Sequence, residues 1–155
     1  MPELRRQVMS WRMTGKRVVF TNGCFDILHQ GHIDILLKAA SFGDMLIIGL
    51  NSDDSVRRLK GTGRPINLQY PRALVLAAME FVDGVVFFEQ DDPAALIRLI
   101  RPDVLVKGND YTQEQIAGAA DVLAYGGRVM RVPLTEGYST SALIARMAGM
   151  GPVNH

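Results

Sequence analysis

The chain is poor in the residues that would announce many chemistries. It holds one cysteine, Cys24, three histidines and one tryptophan in 155 residues. A single thiol cannot close an internal disulfide, so the chain suits a reducing compartment. The formal net charge is only +1 and no long basic run occurs, which argues against nucleic-acid binding by bulk electrostatics. No apolar run approaches the ~20 residues of a spanning helix. The basic segment Met1–Lys16 has no apolar stretch of the kind a secretory leader carries. The expectation is a soluble, cytoplasmic protein with no membrane and no nucleic-acid partner.

What is present is a core. Forty-eight per cent of the residues are hydrophobic and 21% are charged, enough for one globular domain over 1–155. Short apolar runs at Arg17–Thr21, Met45–Leu50, Gly84–Phe88, Val104–Lys107 and Arg128–Val132 read as strands. Amphipathic segments at Pro2–Met13, Ile33–Phe42, Ser52–Leu59, Pro71–Phe81, Pro93–Ile100, Gln113–Tyr125 and Ser139–Met147 read as helices. This alternation predicts an α/β fold: a Rossmann-like, doubly wound, five-stranded parallel sheet with helices on both faces. Its core would span about 17–148, with a frayed tail at 149–155. Ligands in such sheets bind beyond the carboxyl ends of the strands, where the strand order reverses.

The polar motifs fall just after the strands. Two of the three histidines, His29 and His32, follow the first strand in Thr21-Asn22-Gly23-Cys24-Phe25-Asp26-Ile27-Leu28-His29-Gln30-Gly31-His32. Gly31 between them lets a phosphate approach the backbone, and the helix that begins there offers free N–H groups and a positive dipole end. Two imidazoles so placed can donate hydrogen bonds to phosphate oxygens as charge develops. Helix capping or metal binding are the competing readings. Lys60 and Arg64 sit in a Gly-rich loop suited to neutralising phosphates, or to being merely a solvated turn. Arg72 opens a helix whose dipole opposes a cation, so it needs a partner, either a phosphate or a salt bridge. Lys107, Gly108 and Asp110 lie at the carboxyl edge of the fourth strand. Ser139 and Thr140 precede the last helix as caps, ligands or both. Asp26 is expected to hold backbone amides rather than a metal, the eight methionines to fill the core, and Trp11 to pack the first helix on the sheet.

His-x-Gly-His directly after Gly-Cys-Phe-Asp resembles the signature of the cytidylyltransferase-like nucleotidyltransferase superfamily, and the likeness runs from Val18 to about Met147. The resemblance implies in-line transfer without a covalent intermediate, which leaves Cys24 without a nucleophilic role. It makes His29 and His32 transition-state stabilisers, with Lys60 and Arg72 as catalytic cations. Asn22, Gly23, Cys24, Phe25, Asp26, Gly31, Lys107, Gly108, Asp110, Ser139 and Thr140 would bind the nucleotide. Class I aminoacyl-tRNA synthetases share a related loop, but their Lys-Met-Ser-Lys-Ser element is missing. Within the superfamily, Asn22–His29, Asn51-Ser52-Asp53, Arg58–Asn67, Lys107–Tyr111 and Ile116–Ala119 together look like the ADP-heptose synthase family. That likeness implies ATP and D-glycero-D-manno-heptose 1-phosphate as substrates, Mg²⁺ carried with the triphosphate, no dedicated metal cage, and a homodimer. The bifunctional members add an N-terminal sugar kinase, so a separate kinase would supply the sugar phosphate. Leu134 stands where glycerol-3-phosphate cytidylyltransferases carry Arg. Transfer of CMP to glycerol 3-phosphate, transfer of AMP or GMP to another phosphorylated metabolite, and a non-catalytic nucleotide sensor are the alternatives.

Overall fold

Alternate side chains of the central strand go to opposite faces, and each face finds its own helices. The computed structural model describes residues 1–135 and 137–149. In chain order the elements are α1 (Pro2–Met13), β1 (Val18–Gly23), α2 (Gln30–Ala40), β2 (Met45–Asn51), α3 (Asp53–Lys60), α4 (Gln69–Ala77) and β3 (Gly84–Phe88). Then follow α5 (Ala94–Ile100), β4 (Val104–Gly108), a 3₁₀ turn (Gln113–Gln115), α6 (Ala119–Ala124), β5 (Arg128–Val132) and α7 (Thr140–Gly149). Val18, Phe20, Ile47 and Leu105 pack with Val8 of α1, Ile97 and Ile100 of α5 and Val122 of α6. Val19, Leu46, Ile48, Val104 and Val106 point the other way, onto Leu36 of α2 and Leu76 of α4. This period-two alternation is what a sheet covered on both sides requires.

The strands are all parallel, in the order β3-β2-β1-β4-β5. Register is set at the strands' amino ends by three aspartates that repeat one device. Asp44 accepts from the Arg17 amide at 2.8 Å, Asp103 from Val18 at 2.8 Å and Asp83 from Leu46 at 2.7 Å. Each also donates its own N–H back to the neighbouring carbonyl, at 2.9 Å in every case. The outermost amides of β1 and β2 are therefore satisfied before the ladder begins.

The structure matches the expected sheet and departs from the expected helices in particular places. The single helix expected over Gln113–Tyr125 is a 3₁₀ turn and a separate α6. Gly118 breaks it with φ +82°, and a Cβ there would meet Ile97 Cδ1 at 2.6 Å. The second helix starts at Gln30 rather than Ile33, so His29 becomes its N-cap and His32 falls in its first turn. The α4 helix runs Gln69–Ala77 rather than Pro71–Phe81. The tail expected to fray lies, beyond Gly149, outside the described residues, as does Glu136. Among the described residues no helix is long and apolar enough to cross a membrane.

Candidate active site

The order 3-2-1-4-5 reverses between β1 and β4, and a cleft of about 600 Å³ opens at their carboxyl ends. Its floor is Thr21, Asn22 and Gly23 from β1 with Lys107 and Gly108 from β4. The α2 amino end forms one wall, and Tyr138, Ser139 and Thr140 at the start of α7 come over it. Lys60, the last residue of α3, and Arg64, in the loop after it, also line the cleft.

His29 and His32 stack face to face, ring centroids 3.8 Å apart and planes 23° from parallel. Three residues of helical spacing bring the two side chains onto one side of the first turn. Phe25 backs His32 edge-on at 5.4 Å, and Tyr138 lies near-parallel to His29 at 6.2 Å. Phe25 takes this position with φ +45°, a left-handed conformation rare for a bulky side chain. The Nδ1 atoms of both histidines are buried and have no hydrogen-bond partner. His29 makes no side-chain capping bond, so capping does not account for it. Gly31 is required between them: a Cβ there would meet the His29 ring and Tyr138 Cβ, each at 3.2 Å.

Burial, reinforced by the nearby His29, holds His32 down at about 4, and burial also lowers His29. Both rings are therefore neutral near pH 7 in the empty cleft, and each keeps one ring N–H to donate. Lys107 is pushed down to about 8 by burial, with Asp110 and Cys24 pulling it back up. Its ammonium donates to Asn22 O at 3.1 Å and lies 5.6 Å from the Tyr111 ring centroid. The Asn22 side-chain oxygen beside it is buried without a partner. Burial raises the Cys24 thiol although Lys60, Arg72, Arg64 and Lys107 all act to lower it. The thiol stays protonated, which fits the absence of a nucleophilic role.

The structure brings every expected site residue to the cleft wall except Arg72. Arg72 is 2% exposed, and its guanidinium donates to Asn67 O at 2.9 Å, Cys24 O at 2.6 Å and Asp53 Oδ1 at 2.8 Å. The partners that offset its unfavourable helix position in this structure are a buried salt bridge to Asp53 and two carbonyls, the salt-bridge alternative for this residue. Asp26 reaches the cleft, but its carboxylate faces the 64–67 loop. It accepts from Ile66 N and Asn67 N, both at 2.8 Å, and from Arg64 Nε at 2.6 Å. Burial opposes its charge, yet those two amides and the guanidinium outweigh that and hold it below the usual carboxylate range. Ser139 Oγ accepts from Ala142 N at 3.1 Å and so caps α7, while Thr140 donates to Ile27 O at 3.5 Å.

Sequence reasoning passed over Tyr138, which the fold brings beside His29 and Gly31 as part of the ring stack. It also passed over Thr135, whose hydroxyl donates to Asp34 Oδ2 at 2.6 Å and ties the strand-to-α7 link to α2. Leu134 lines the cleft close to Gly108.

The profile of the family described as cytidylyltransferase-like matches residues 20–146. The chain belongs to the cytidylyltransferase-like family. Membership in this nucleotidyltransferase family agrees with a cleft at the switch point lined by His29, His32, Lys60 and Lys107. The chain is 55% identical over 140 residues to the bifunctional protein HldE of Hyphomonas neptunium, covering 90% of this chain and 29% of that protein. It is 50% identical over 145 residues to HldE of Methylobacillus flagellatus, covering 94% and 30%. The chain thus spans under a third of the length of these relatives. A lipopolysaccharide core biosynthesis protein from Thermoplasma volcanium superposes with TM-score 0.64 and 25% identity, over 81% of this chain and all of that one. A pantoate–β-alanine ligase from Francisella tularensis shares the fold at TM-score 0.59 and 17% identity, covering 88% and 67%.

Proposed function

We propose that this cytidylyltransferase-like chain transfers AMP from ATP to D-glycero-D-manno-heptose 1-phosphate, giving ADP-heptose and pyrophosphate. The observation that carries the nucleotidyl-transfer reading is the stacked His29–His32 pair, with unpartnered Nδ1 atoms, at the amino end of α2. The sugar phosphate's oxygen attacks the α-phosphorus, the α–β bridging P–O bond breaks, and pyrophosphate leaves with that oxygen. Charge grows on the non-bridging and leaving oxygens, and donors fixed in place beforehand stabilise it without reorganising. His29 and His32 serve as those donors, with the α2 amino end behind them; Lys60 and Lys107 neutralise the phosphates. No atom of Cys24 takes part.

Heptose as the sugar is supported by the joint occurrence of the Asn22–His29, Arg58–Asn67, Lys107–Tyr111 and Ile116–Ala119 motifs. The 50–55% identity to the HldE proteins points the same way. The lipopolysaccharide core role named for the Thermoplasma neighbour fits an activated-sugar product. Among the described residues no group of three His, Cys, Asp or Glu could hold a metal ion. Mg²⁺ would come with the triphosphate, and Asp110 is one of the wall carboxylates that would face it. When bound it would supply neutralisation of phosphate charge. A homodimer belongs to this reading, and the exposed Leu68, Tyr70, Leu74 and Val75 at α4 offer it an apolar surface. So does a cytoplasmic location, where ATP is supplied.

A nucleotide-by-acceptor panel read by pyrophosphate release tests the assignment. ATP with heptose 1-phosphate is expected to give the highest kcat/KM. Faster turnover of CTP with glycerol 3-phosphate would overturn it.

A further inference from the structure

At the opposite pole of the sheet a second cavity, about 630 Å³, opens beside the amino ends of β1, β4 and β5. Four arginines line it, Arg12, Arg17, Arg101 and Arg128, against a single carboxylate, Asp103. In a chain of net charge +1, four of the 17 Lys and Arg residues meet at one concavity with one carboxylate among them. Asp103 has an oxygen engaged by the Val18 amide, so part of its hydrogen-bonding capacity is already spent on the sheet. Among the described residues none of the four arginines forms an ion pair.

The cavity is also built rather than incidental. Arg12 reaches from α1 to donate to the carbonyls of Ile100 and Arg101, the first at 3.0 Å. Those carbonyls end α5, and Arg101 leaves it with φ +51°, one of two non-glycine residues in the left-handed region among the described residues. The other is Phe25, in the catalytic cleft. Arg101 then lays its guanidinium over the Tyr125 ring, 4.8 Å from the centroid, and Tyr125 is fixed by its hydroxyl donating to Pro102 O at 2.9 Å. The left-handed turn at Arg101 is the C-cap that ends α5, and it sets where the side chain leaves the helix. Arg101 stays exposed on the rim of the cavity, where Arg17 and Arg128, also exposed, line the same concavity.

We infer that this pole is a second anion site, which takes a compound bearing two adjacent phosphates, either free pyrophosphate or a nucleoside diphosphate. Guanidiniums bind phosphate oxygens by paired, charge-assisted hydrogen bonds, and several around one cavity match a polyvalent anion better than a monovalent one. The site is separate from the catalytic cleft and uses none of its residues.

Trp11, the chain's one tryptophan, adjoins Arg12 on α1 and reports on this pole by its fluorescence. The full chain is titrated with pyrophosphate, with ADP, and with sulfate at matched ionic strength. A saturable Trp11 response to pyrophosphate or ADP, much stronger than to sulfate, is expected, and the arm that binds tighter identifies the source. Arg17→Ser with Arg128→Ser should weaken it by about tenfold for each guanidinium removed, leaving nucleotidyl transfer unchanged. His29→Ala with His32→Ala should leave the response intact. The inference is overturned if sulfate matches pyrophosphate and ADP, if the arginine variant titrates like the parent, or if the histidine variant abolishes the signal.

Discussion

The chemistry of the cleft comes down to groups held in the protonation state that an arriving triphosphate would use. Lys107 is the clearest. Burial lowers it to about 8, so it is mostly charged at pH 7 but loses its proton within the accessible range. The charged form is the one that attracts phosphate, and deprotonation proceeds as pH rises. The kcat/KM profile should therefore fall above about pH 8 with an apparent pKa near that value. Lys107→Arg should remove this alkaline limb, because a guanidinium stays protonated throughout. A limb unchanged in the variant would assign it to another group. The histidines behave oppositely. Held neutral by burial when the cleft is empty, they gain basicity once anionic oxygens face them, which is the direction transition-state stabilisation needs. Arg72 shows where residue-scale reasoning stops. Its place at a helix start signalled an unusual partner, but nothing in its neighbours along the chain distinguished a phosphate from Asp53 and the carbonyls of Cys24 and Asn67.

Among the elements, the β1–α2 crossover and the α3–α4 loop are bound into one unit by Asp26. Its two oxygens collect two amides and a guanidinium, and its own carbonyl accepts from Asn67 Nδ2 at 2.8 Å. Asp26→Ala would leave these buried donors without a partner, at a cost of about 3 kcal/mol. Urea denaturation should show that loss, with a raised KM for ATP because Arg64 is no longer held at the cleft. Unaltered stability would contradict the tie. As the folded-state carboxyl sits below its usual range, this contribution is present above pH 4 and is lost as pH falls through the depressed value. The strands were legible because each is short, apolar and bounded by polar turns, and α1 because its amphipathic pattern begins at Pro2. Helix ends were less so. Gly118 lay inside an otherwise helical pattern, and the clash with Ile97 that makes it a break is a contact 21 positions away.

For the molecule as a whole, the sheet order decides where chemistry can occur. The reversal between β1 and β4 gathers motifs that are 85 positions apart in the chain, such as Asn22 and Lys107, onto one floor. That gathering was foreseeable from the alternation of strands and helices, since polar motifs stood after the strands. The placing of Tyr138 beside His29 was not, because it depends on long-range contacts such as Thr135 with Asp34, 101 positions apart. The same topology leaves the strands' amino ends at a distant pole, where aspartate clamps and arginines meet. The measurement that bears most directly on the account is the turnover of His29→Ala and His32→Ala separately, with ATP affinity determined in parallel. Each should lower kcat by about 10²-fold with little change in ATP binding or thermal stability, as expected for a lost transition-state donor that makes no ground-state hydrogen bond. Unchanged kcat in either folded variant would contradict the role given to that imidazole.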